Sequence, residues 1–133
     1  MKQFALIVLA LVTFSPCAMQ AQNYGHLYIA NNSTPQLVST SCTTISGFST
    51  SIISGMTAGG SGLTVTQAEN YLVQVSLSLT GGSTGLWEIG ISINGAAPAV
   101  VSRRTMSTGS DVGNVKLSCL LSLSVSDVIA VVA

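Results

Sequence analysis

The sequence predicts an all-β fold, and three features predict it. Apolar and polar residues alternate over long stretches, Gly- and Asn-rich turns punctuate those stretches, and no window shows helical periodicity. Composition agrees. Charged residues make up 6% of the 133, apolar residues 47% and aromatics 5%, and about a quarter of the chain is Ser or Thr. Strands with hydroxylated rather than charged outer faces fit that balance.

The same numbers argue against several functions. Lys2, Arg103, Arg104 and Lys116 are the only basic residues besides His26, and they form no basic stripe for nucleic acid. Heptads of a coiled coil are absent, and the chain is too apolar for intrinsic disorder. Four acids and one His leave little for acid/base catalysis.

Taken from the N-terminus, residues 1–21 read as a secretory signal peptide. Lys2 supplies the positive charge, Phe4 to Phe14 (FALIVLALVTF) is the apolar run, and Ala21 is a small residue before the cut. The run is shorter than the about 20 residues that span a bilayer. An uncleaved anchor and a lipoprotein centred on Cys17 are the alternatives; Phe14-Ser15-Pro16 is a poor lead for lipidation. Cleavage leaves residues 22–133 as one domain, secreted or surface-displayed, without stable membrane insertion. A domain of that size buries roughly 65% of its unfolded surface, enough for one core.

Gly25 to Ala30 reads as a short strand ending at Asn31-Asn32-Ser33-Thr34, which holds two overlapping glycosylation acceptor patterns. Pro35 breaks the pattern, and Gln36 to Ile53 is Ser/Thr-rich and irregular. Gly59-Gly60-Ser61-Gly62 is a turn before a short strand, Leu63 to Thr66. The clearest strand is Tyr71 to Thr80: Tyr71, Val73, Val75, Leu77 and Leu79 share one face and Gln74, Ser76 and Ser78 the other. Gly81 to Gly85 turns the chain. Trp87, Ile89, Ile91 and Ile93 then face inward, opposite Glu88, Gly90 and Ser92, up to the turn dipeptide Asn94-Gly95. Ala99 to Met106 is a strand carrying Arg103 and Arg104, and Ser107 to Gly113 is a loop. Val115, Leu117, Cys119, Leu121, Leu123 and Val125 alternate with polar residues. Ser126-Asp127 turns into a last strand, Val128 to Val132.

Candidate chemistry is sparse. His26 could join Asp111 or Asp127 in a Ser-His-Asp site, but no nucleophile elbow is present, so a surface His is the simpler reading. Glu69, Glu88, Asp111 and Asp127 are not spaced as a calcium loop. Cys42, Cys119 and His26 are too few for structural zinc. No metal, cofactor or enzymatic activity is expected. Arg103 and Arg104 point to opposite faces of their strand; they are either a solvated pair or an anchor for a carboxylate or a neighbouring subunit. Trp87 is a core residue by its face, with sugar stacking the alternative. A Cys42–Cys119 disulfide would close a loop of about eighty residues and stabilise by about 4–5 kcal/mol; two separate thiols are the alternative. Leu120 faces outward among Ser118, Ser122 and Ser124 and is the first candidate for an interface contact.

From Tyr24 onward the chain resembles the C1q/TNF-like jelly-roll domains, especially bacterial and viral members. The resemblance is carried by Tyr71-Leu-Val-Gln-Val-Ser-Leu-Ser-Leu, by Trp87-Glu-Ile-Gly-Ile-Ser-Ile-Asn-Gly, by Arg103-Arg104 with Thr108-Gly-Ser-Asp-Val-Gly-Asn, and by Leu117 to Leu123 with Asp127-Val-Ile-Ala-Val. The chain departs from the pattern at Glu69-Asn70 and at Ser126, where the family has Gly. The resemblance implies a jelly-roll β-sandwich lacking its last strand, a strand central to one sheet. It further implies a homotrimeric, non-enzymatic recognition or assembly head with a protein or glycan ligand. Removing that strand would open a gap flanked or underlain by the strands of Val73, Val75, Leu117 and Leu121. A fimbrial or surface-fibre subunit completed by strand exchange is the alternative function.

Overall fold

The computed structural model describes residues 22–29, 36, 41–80, 84–107 and 111–133. The expected signal peptide with Cys17, and the acceptor patterns at Asn31 and Asn32, lie outside the described residues.

Nine strands run in chain order: β1 (Tyr24–Tyr28), β2 (Ser49–Ser54), β3 (Met56–Gly59), β4 (Gly62–Val65), β5 (Glu69–Thr80), β6 (Gly85–Ile93), β7 (Val100–Met106), β8 (Val112–Leu123) and β9 (Val128–Val132). All pairings are antiparallel. One sheet has the order β3-β4-β9-β6-β7, a second is β5-β8, and a third is β1-β2. No helix among the described residues is long and apolar enough to cross a membrane.

Period-two burial builds the layers. The inward faces of β5 and β8, with Tyr71, Val73, Val75, Leu117, Cys119, Leu121 and Leu123, pack on Val65, Ile91, Ile93 and Ile129 of the five-stranded sheet. Ile89, Ile91, Met106 and Val65 are the most deeply buried side chains. Each such residue contributes about 1.5–3 kcal/mol by leaving water. The result is a sandwich-like all-β domain with one core.

Turn chemistry sets the registers. Asn94 (φ 56°) and Gly95 (φ 73°) both occupy the left-handed region, and Ala96 N–H donates to the Ile93 carbonyl at 3.0 Å. This is the primed turn that a right-twisted hairpin favours. The following loop folds back over β6: Pro98 covers Gly90, where a Cβ would come within 2.5 Å of the Pro98 Cβ. Residues 43–45 run beside the end of β9, with Thr43 and Ala133 exchanging main-chain hydrogen bonds and Ile45 N–H donating to the Val131 carbonyl.

Four expectations need correction. The stretch Gln36 to Ile53, read as irregular, contains most of β2; STSIIS lacks alternation because four of its six residues are exposed, and it is a strand through its pairing with β1. Met56–Gly59 was not anticipated; it forms because Gly59 and Gly62 close a two-residue hairpin at Gly60-Ser61. Val125 is not inward: β8 ends at Leu123, and Val125 sits in the turn with 57% of its surface exposed. β8 also begins at Val112, inside the expected loop.

Candidate interaction surfaces

The outer face of the β5-β8 sheet is the first surface. Leu72 and Leu120 are directly opposite in the register and stand 65% and 68% exposed. Around them the cross-strand pairs are Asn70–Ser122, Gln74–Ser118 and Ser76–Lys116, so Lys116 is the one charge on this stretch. Asn114 Nδ2 donates to Ser76 Oγ at 3.1 Å, an ordered polar contact farther along the same face. Alternation in a long ladder places every such residue outward, and the leucines therefore expose apolar area.

Arg103 and Arg104 do point to opposite faces. Arg103 is exposed beside its register partner Glu88, with Nε 2.5 Å from the carboxylate. Arg104 turns between the layers. Its Nη2 lies 3.3 Å from Asp111 Oδ1, its Nε contacts the Met106 sulfur at 3.2 Å, and the side chain lies over Gly113 of β8. A Cβ at Gly113 would fall 2.2 Å from Arg104 Nε, so the absence of a side chain there makes room for the guanidinium. Both arginines thus have carboxylate partners within the chain. The Ser107 main-chain N–H, at 2.9 Å, is the chief cause that holds the Asp111 carboxyl below its ordinary range, and Arg104 adds to it.

The two cysteines among the described residues, Cys42 and Cys119, are free thiols in different places. Cys119 faces the core from mid-β8, where burial pushes its thiol pKa up. Cys42 is exposed and lines a recess of about 310 Å³ with Trp87 and Val132 of the five-stranded sheet and Pro98 of the β6–β7 loop. In the structure the two thiols stand apart, one facing the space between layers and the other on the recess beside β6 and β9.

His26 is on the exposed side of β1, its ring stacked on Tyr28 with centroids 5.9 Å apart. Each acid has a hydrogen-bonding partner. Glu69 accepts from Asn23, Glu88 from Arg103, Asp111 from Ser107, and Asp127 from Ser124 and Asn94. Among the described residues no three His, Cys, Asp or Glu side chains gather as a metal site. Trp87 is half-buried on the inward side of β6, in register with Arg104.

A groove forms the second surface, and sequence reasoning did not locate it. It encloses about 540 Å³ between β1 and β5. Tyr24 to Leu27 make one wall and Glu69 to Leu77 the other, above Met56, Leu63, Ile129 and Val131. β1 and β5 belong to different sheets, with no ladder between them. A signal for the groove exists only in the pairing pattern: β5 is twelve residues long and, among the described residues, pairs with β8 alone.

Comparison with protein-family models, with curated proteins and with solved structures finds no match to this chain.

Proposed function

We propose that this chain is a secreted, non-enzymatic recognition or assembly domain of the C1q/TNF-like jelly-roll type, forming a homotrimer through the outer face of β5-β8. The ligand would be a protein or glycan at a cell or particle surface. The observation that carries the reading is the exposed Leu72–Leu120 pair on a face of hydroxyls, amides and a single Lys. An interface core is poor in charge and rich in apolar anchors, and this face has that composition. The layered antiparallel strands support the sandwich part of the reading. The engagement of all four acids in hydrogen bonds supports the non-enzymatic part.

Analytical ultracentrifugation of the exported protein tests this. A trimer is expected, and Leu120→Asp should shift it toward monomer while thermal unfolding stays within a few degrees. A monomer at all concentrations would refute the reading. The unpaired edge of β5 favours a second reading, a fibre subunit assembled by strand exchange; polymers of increasing length in the same experiment would select it.

A further inference from the structure

We propose that the groove between β1 and β5 is a strand-acceptor site. Its occupant is an extended, uncharged segment of another polypeptide, apolar at alternate positions, which adds to the free edge of β5.

The main chain supplies the first argument. β5 is hydrogen-bonded to β8 along its whole length and, among the described residues, to no other strand. In an antiparallel ladder alternate residues direct both N–H and C=O away from the partner. Half of the β5 residues therefore present donors and acceptors to the groove. β1 pairs with β2 alone, and β1, not β2, lines the opposite wall. Two strand edges without a strand partner among the described residues thus border one trough. An edge of this kind is a template for a further strand.

The floor supplies the second. Met56, Leu63, Ile129 and Val131 lie beneath the gap, so every second side chain of an inserted strand would meet apolar surface. Gly25 brings the β1 backbone down onto this floor: a Cβ there would lie 2.9 Å from a Leu63 methyl and 3.1 Å from the Met56 sulfur. At one end Asn23 Nδ2 donates to Gln67 and to Glu69, each at 3.0 Å, and ties the start of β1 to the start of β5. The volume of about 540 Å³ falls within the about 300–1,000 Å³ of ordinary ligand sites.

Charge determines the chemistry of the occupant. Glu69 is the only acid on the groove and His26 its only imidazole, with no Lys or Arg; Glu69 is already held by Asn23. A charged side chain pointing at the floor would be desolvated without a partner, which is costly. An acyl chain could cover the floor but would leave both strand edges unpaired. An uncharged strand satisfies edges and floor together. The trimer proposed above uses the outer face of the same sheet, whose Leu72 and Leu120 also border this groove.

The test uses a synthetic ten-residue peptide of alternating Val and Thr, with a control of the same composition interrupted by two prolines. Amide hydrogen exchange of the unmodified protein is followed with and without each peptide. The expected result is saturable one-to-one binding of the Val/Thr peptide, with at least tenfold slower exchange at alternate amides of Glu69–Leu77. The free edge of β7, at the margin of the five-stranded sheet, should not change. Absence of protection on β5, equal protection on β7, or equal binding of the proline control would each overturn the proposal. So would slow β5 exchange in the protein alone that is lost on dilution, because a second copy would then be the occupant.

Discussion

Ser126 holds a φ of 75°, a conformation that costs a residue with a Cβ about 1–2 kcal/mol. It stands third in a turn closed by Asp127 N–H donating to the Ser124 carbonyl at 3.1 Å, and glycine is the residue such a position favours. Ser126→Gly is therefore expected to stabilise the domain by up to about 1 kcal/mol, the gain reduced by the extra freedom of glycine in the unfolded chain. Chemical denaturation checks it. The neighbouring Asp127 carboxylate caps the same turn, accepting from Ser124 N–H at 2.8 Å and from Asn94 Nδ2 at 2.7 Å. The Ser124 bond first, and Asn94 second, hold its pKa below the ordinary value. A carboxyl lowered by folding adds stability above its unfolded pKa, near 3.9, and that stability is lost as pH falls through the lower folded value. Asp111 is lowered too and adds to the same acid limb. Asp127→Asn should lower the melting temperature at pH 6 and make it fall less steeply between pH 4 and pH 2. A slope as steep as that of the parent protein would show that Asp127 does not contribute to it.

At the scale of elements, β6 is the strand on which both faces close. Ile89 and Ile91 fill the interlayer space, while Gly90 and Ser92 lie under the loop that carries Pro98; Ser92 Oγ donates to the Ala96 carbonyl at 2.7 Å. Ile91→Ala should cost about 2–5 kcal/mol, because a central site between two sheets collapses poorly around a cavity. Urea unfolding measures it. The β4–β9 pairing has a different sensitivity. A Cβ on Gly62 would lie 2.3 Å from the Ile129 carbonyl oxygen, which is main chain in the ladder and cannot swing aside. Gly62→Val should therefore destabilise by about 1–3 kcal/mol, with increased exchange of β9 amides as its signature. Gly113→Ala meets the Arg104 guanidinium, the end of a flexible side chain, and should cost less than Gly62→Val in the same assay.

For the molecule as a whole, the β5-β8 sheet has three boundaries, the outer face and the groove edge meeting at Leu72 and Leu120. Its inner face closes the core, its outer face exposes Leu72 and Leu120, and its β5 edge faces the groove. Assembly through the face and strand addition at the edge separate experimentally: Ser118→Asp, on the outer face but off the groove, should weaken the first and leave Val/Thr peptide binding unchanged.

The sequence by itself determined the strands with one buried face. In β5, in β8 and in β6 as far as Glu88 the solvent boundary runs along the sheet, so burial alternates with period two, whereas Gly90 and Ser92 are buried as well because the Pro98 loop folds over them. Asn94-Gly95 was legible for a similar reason, since its positive φ values are a local demand. The opposite orientations of Arg103 and Arg104 also follow from local geometry. Tertiary structure decided what depends on distant partners. β2 is a strand because β1 lies beside it, although four of its six residues meet solvent. Arg104 acquired its carboxylate because Gly113 of a strand in the other layer leaves space above it. The cysteines stay apart because their segments pack on different parts of the sandwich. The groove between β1 and β5 is a property of pairing alone: main-chain hydrogen bonds are chemically alike at every residue, so which strand edge remains open is settled only when all the strands have taken their places.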